Sequence, residues 1–175
     1  MTRRYGHLVE TSSNVVDVTH WLTDDEQRTW RAFLATSELL YSALDRQLQQ
    51  DAKLTHGTYV VLAMLSEAPD RSLRMTDLAR LANSTPSRLS HAVARLEERG
   101  WVRRDRSSQD GRGTVATLTD AGWDVLVATA PGHVEAVRRH LFDRLTPEQV
   151  RVLGEICAAV LDGLDPDRTR RRGQG

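Results

Sequence analysis

Residues 72–118 read SLRMTDLARLANSTPSRLSHAVARLEERGWVRRDRSSQDGRGTVATL. Ser72-Leu73-Arg74 is a short extended piece, and Thr76 to Ala82 follows with apolar residues at helical spacing. Ser84-Thr85-Pro86 announces a second helix, because a hydroxyl cap precedes proline at the first helical position, where its missing N–H is not needed. That helix spans Pro86 to Arg99 and is stopped by Gly100, a residue that accepts the left-handed backbone just past a helix end. Trp101 to Leu118 then reads as a hairpin, with the Gly/Ser/Asp-rich run Ser107 to Gly113 at its tip. Two helices joined by a tight turn and followed by a hairpin give a winged helix-turn-helix.

Outward from this stretch, helical spacing dominates. Residues 1–21 lack periodicity and read as a flexible arm, with Val15, Val16, Val18 and Trp21 as apolar points for docking on a partner. Thr23-Asp24-Asp25-Glu26 is a capping box that opens a long helix reaching Gln50, with Trp30, Phe33, Leu34, Tyr41, Leu44 and Leu48 as its apolar stripe. Leu54-Thr55 opens the next helix and Pro69-Asp70 ends it. After the hairpin, Thr119-Asp120 caps a long helix in which Pro131-Gly132 predicts a kink or break, since proline removes one main-chain hydrogen bond. Thr146-Pro147-Glu148-Gln149 opens the last helix, which ends near Gly163, and residues 165–175 read as a disordered basic tail. The fold class is mostly α, six helices plus a short β-hairpin wing, and a 175-residue chain that is 39% hydrophobic can bury one substantial core.

The formal net charge is zero, but its distribution is uneven: from Arg71 to Arg112 ten arginines face five carboxylates. Turning about 100° per residue along the second helix puts Leu89, Ala92, Val93 and Leu96 on one side. Ser87, His91 and Ala94 fall opposite, flanked by Arg88, Ser90 and Arg95. Small side chains at Ser87 and Ala94 let the helix approach a base-pair floor, while Arg88 and His91 reach the N7 and O6 acceptors of guanine in a major groove. The positive end of the helix, from Ser84 through Thr85 and Pro86 to Ser87, suits a phosphate. Such a stripe is ordinarily solvated surface; its place on the second helix, before a basic hairpin, decides for DNA. For His91, base contact and phosphate contact stay equally open. The hairpin supplies Arg103, Arg104 and Arg106 on one arm. At the tip, Arg112 is drawn to the negative potential of a narrow minor groove, and Asp110 pairs with it or with a backbone N–H to shape the turn.

Other classes find little support. The His residues and carboxylates show no metal-ligand spacing and no nucleophile-base arrangement, so neither an enzyme, a metal nor a cofactor is expected. The glycine-flanked tip lacks the Lys-Ser/Thr of a phosphate-binding loop. The single cysteine, Cys157, excludes an intrachain disulfide, and on an apolar helix face it is expected to be a small core residue. No apolar run approaches the roughly 18 to 20 residues that span a bilayer, and Met1-Thr2-Arg3-Arg4 is followed by polar residues, so a cytoplasmic location without a membrane partner is expected. A winged-helix protein–protein interaction module without DNA binding would use the same fold, and the clustered wing arginines argue against it.

Three stretches carry a family resemblance: Leu73 to Ala79, Ser87 to Glu98 leading into Arg99-Gly100-Trp101-Val102, and above all Asp110-Gly111-Arg112 with Val115 to Gly122. In order and spacing, residues 22–164 resemble the MarR-type winged helix-turn-helix transcriptional regulators. The resemblance implies an obligate homodimer in which residues 22–52 and 120–164 are dimerisation helices and 53–119 the DNA-binding lobe. Two such lobes face half-sites of a pseudo-palindromic double-stranded operator, about one helical turn apart. It also implies a repressor released by a small phenolic or other aromatic ligand between the lobes, where Tyr41, His56 and Tyr59 lie on the lining helices. His91 stands where such proteins frequently place an arginine. Cysteine-based redox-responsive members carry their thiol near the start of the chain, whereas Cys157 lies in the last helix.

Overall fold

A computed structural model describes residues 19–106 and 113–165. In chain order the elements are α1 (Asp24–Ala52), α2 (His56–Ser66), β1 (Ser72–Arg74), α3 (Met75–Leu81), α4 (Pro86–Glu98), β2 (Val102–Arg106), β3 (Thr114–Leu118), α5 (Asp120–His140) and α6 (Pro147–Leu164). One-turn 3-10 segments, Pro69–Arg71 and Phe142–Arg144, precede β1 and α6. The chain divides into two compact units, Met1–Thr36 and Ser37–Gly175. In the first, the Thr23 N–H donates to Glu26 at 2.7 Å while the Glu26 N–H returns to Thr23 Oγ1 at 3.2 Å, the capping box legible in the sequence. Trp30 and Phe33 stack on the same helix, both exposed.

The second unit holds the core. Leu48 of α1, Leu62 and Leu65 of α2, Leu78 of α3, Leu89, Val93 and Leu96 of α4, Val102 and Ala116 of the sheet and Leu126 of α5 are buried together. β3 lies at the centre of a three-stranded antiparallel sheet, pairing Val102 with Leu118 on one side and Ser72 with Thr117 on the other. The extended piece at Ser72 is therefore a third strand that ties the wing to the start of α3. Threonine begins five of the helices: like Thr23 at α1, Thr55, Thr85, Thr119 and Thr146 each accept a backbone N–H from the first turn.

Two expectations are corrected. Of the kink or break expected at Pro131-Gly132, the break does not occur; α5 runs unbroken from Asp120 to His140. One lost N–H is tolerated because both halves are anchored, Leu126 and Thr129 before the proline and Ala136 after it being buried. Cys157 is exposed rather than in the core, as α6 contributes no buried residue within the chain. The expectations for residues 1–18, including Val15, Val16 and Val18, for the hairpin tip at 107–112 and for the tail from 166 lie outside the described residues. Among the described residues, no helix is long and apolar enough to cross a membrane.

Candidate nucleic-acid interface

α4 is held by its apolar side. Leu89, Val93 and Leu96 are each at most 1% exposed, so the opposite side cannot turn inward. Ser87, Arg88, Ser90, His91 and Arg95 are all exposed on that outer side, as their spacing from Leu89 requires. Thr85 fixes the start of the helix by accepting the Arg88 N–H, and Pro86 occupies the first turn. Ser84 and Thr85 thus lie at the positive end of α4, where the sequence places them.

The wing arginines separate by strand alternation. Val102 is buried, and Arg104, two residues on along the same strand face, is turned back onto α4. Its Nε donates to Glu97 Oε2 at 2.9 Å and its backbone N–H reaches Glu97 Oε1 at 3.3 Å. The Arg104 guanidinium in turn holds the Glu97 carboxyl below the usual carboxylate range. Arg103 lies on the other strand face, paired with Asp105 at 2.7 Å, and Arg106 is exposed. Asp110 and Arg112 fall outside the described residues. Glu97 is a residue the sequence reading passed over; its i+7 relation to an arginine across a tight turn was the available signal.

Two open grooves flank α4. One, of about 440 Å³, lies between it and the first turn of α2 and is lined by Thr55, Gly57, Arg88, His91 and Arg95 among others. The other, of about 480 Å³, lies toward the wing and is lined by Arg74, Thr76, Pro86, Ser90, Arg104 and Thr114 among others. Among the described residues, neither lining includes a carboxylate. A helix with hydrogen-bonding side chains outward, between two grooves rich in arginine, presents the shape and charge of a duplex-reading surface.

A second cluster gathers Tyr41, His56 and Tyr59 around His133 of α5. The Tyr41 and His56 rings meet edge to face with centroids 4.8 Å apart, His56 and His133 are 5.8 Å apart, and Tyr59 and His133 are 4.3 Å apart. Asp45 Oδ1 accepts the His56 backbone N–H at 2.7 Å. Burial pushes both imidazoles below their ordinary pKa; the Asp45 carboxylate opposes this at His56, while the neighbouring His56 adds to it at His133. Burial likewise raises the Tyr59 phenol. The sequence located three of these rings and missed His133, which carries no motif of its own.

A family model described as the MarR family matches residues 54–114, from the start of α2 to the first residue of β3. The HTH-type transcriptional repressor Rv2887 of Mycobacterium tuberculosis is 38% identical over 98 residues, 56% of this chain and 68% of that protein. Sco3205, a MarR family transcriptional regulator from Streptomyces coelicolor with a crystal structure in complex with DNA, is 56% identical. It superposes with a TM-score of 0.81 over 85% of this chain and 96% of the other. AbsC, a MarR family regulator from the same organism, is 39% identical with a TM-score of 0.73, covering 89% and 99% of the two chains.

Proposed function

The chain belongs to the MarR family of transcriptional regulators rather than to a family of enzymes, and on that premise we propose that it is a homodimeric, DNA-binding repressor in the cytoplasm. The observation that carries this reading is the exposed Arg88-His91-Arg95 stripe on a helix whose other side is locked into the core. Arg88 and His91 read base edges, with Ser87 and Ser90 beside them, while Ser84, Thr85 and Pro86 seat a phosphate at the helix start. Arg103, Arg106 and the wing tip with Asp110 and Arg112 add affinity that tolerates sequence. Arg104 acts through Glu97, fixing the angle at which the wing leaves α4.

Dimerisation is supported by apolar surface that a single chain leaves bare. On α6, Val152, Ile156, Val160 and Leu164 are exposed, and on α1 so are Trp30, Phe33 and Leu34. Two copies joined there present two α4 helices to a pseudo-palindromic operator. The ring cluster of Tyr41, His56, Tyr59 and His133 lies where α1, α2 and α5 converge, and its stacking faces suit a small aromatic effector. Such a ligand lowers DNA affinity by changing the separation of the two reading helices.

Duplexes selected by the protein from a random pool test the division of roles. Arg88→Ala costs roughly 1–3 kcal/mol on the selected duplex and relaxes one base position, whereas Arg103→Ala weakens selected and random duplexes alike. Equal losses on both DNAs for both variants contradict it.

A further inference from the structure

Lys53 is the only lysine in a chain with 24 basic Lys and Arg residues. It follows the last residue of α1 with φ 55°, the left-handed region in which a side chain is strained and glycine is the usual occupant of a helix end. Arg71 has the same kind of backbone, φ 53°, and its side chain has a structural use: it pairs with Asp120 at 3.1 Å and lies 4.2 Å over the Trp123 ring. The Lys53 side chain is exposed, and no carboxylate holds its ammonium among the described residues. Only its carbonyl is used, accepting Arg99 Nη1 at 3.0 Å. This bond ties the α1–α2 corner to the end of α4.

The corner opens onto a groove of about 160 Å³ lined by Gln49, Lys53, Thr55, Arg95 and Arg99 among others, with no carboxylate among the described residues. Thr55, Thr58 and Arg95 also line the larger groove that holds Arg88 and His91. Arg88, His91, Arg95, Arg99 and Lys53 therefore line one flank of α4, four of them carrying a fixed positive charge. We propose that Lys53, at the far end of this flank, is a DNA-backbone contact: its ammonium binds a phosphate of the strand flanking the major groove, on the side of α4 opposite the wing. A base edge is not its target, since a compact ammonium on a flexible stem matches a phosphate as a point charge. The inference rests on the DNA-binding reading above and adds a second backbone anchor to the one supplied by the wing.

Random-sequence duplex DNA is a sufficient probe, because a phosphate contact is independent of sequence. The full-length protein is titrated with a fluorescent duplex at several salt concentrations, as wild type, Lys53→Gly and Lys53→Arg. Glycine relieves the left-handed strain, so Lys53→Gly melts close to wild type, yet it binds severalfold more weakly with a log–log salt slope shallower by about 0.9. Lys53→Arg keeps the slope. Because Lys53 carries the chain's one side-chain amine, acetylation by an amine-reactive ester read by mass spectrometry gives an independent measure: DNA protects Lys53 while the N-terminal amine serves as the internal reference. Wild-type binding with unchanged affinity and slope in Lys53→Gly, and no protection of the amine, overturns the proposal while leaving the DNA-binding reading intact. Failure of the wild type to bind any duplex overturns both.

Discussion

A β-carbon on Gly122 would lie 2.1 Å from the Trp101 carbonyl oxygen and 2.7 Å from Leu118 Cδ1. The oxygen is main chain and already accepts the Thr119 N–H at 3.0 Å, so it cannot move without unpicking the junction between wing and α5. Thr119 caps α5 through the Gly122 N–H and donates its hydroxyl to the Gly100 oxygen at 2.8 Å. Gly122→Ala is therefore expected to destabilise by about 1–3 kcal/mol or more through overpacking, measured by denaturant unfolding. A variant as stable as wild type would contradict this reading. The Leu118-Thr119-x-x-Gly122 spacing was visible in the sequence as a pattern. Its reason was not, because the clash is with a backbone atom twenty-one residues away that only the fold brings close. Lys53 was invisible for a similar reason: its backbone angle, not its surroundings in sequence, sets it apart.

Periodicity and capping placed the elements well, because every α-helix except α3 starts with a threonine oxygen that accepts a first-turn amide, and the buried stripes recur at helical spacing. At Pro131 tertiary anchoring outweighs a local cost and prevents a break, and around Cys157 an apolar helix has no partner within the chain, so local pattern misplaces the cysteine in the core. Between elements, the Glu97–Arg104 pair joins α4 to β2 and the ring cluster joins α2 to α5; the i+7 spacing signals the first, whereas no spacing signals His133 in the second. The cluster has a consequence for pH. His56 and His133 titrate below their ordinary 6.5 in the folded chain, so the unfolded chain takes up protons first as acid is added. Their contribution to stability is full above the unfolded value and is lost as pH falls below 6.5 through the lowered folded values. Thermal melts from about pH 7.5 to about pH 5.5 should show a fall that His133→Gln diminishes. An identical fall in the variant would place the acid sensitivity elsewhere.

At the scale of the whole molecule, α6 leaves its apolar side chains bare. Ile156, Val160 and Leu164 on α6 are 55%, 53% and 77% exposed, and the proposed partner copy would cover them. Ile156→Asp should shift the protein to monomer in light scattering and weaken operator binding by roughly 10²–10⁴-fold, the loss expected when two linked reading helices become one. A variant that stays dimeric would move the interface off α6. Zero net charge across the chain conceals the basic surface around α4, which is why charge by region, and not its sum, pointed to DNA. The central claim is a dimer that reads a specific duplex, and fluorescence anisotropy on the DNA upstream of its own gene, against a scrambled duplex at two salt concentrations, tests it most directly. The account predicts nanomolar, salt-sensitive binding to the upstream DNA and far weaker binding to the scrambled one. Equal affinity for both, or affinity indifferent to salt, would contradict it.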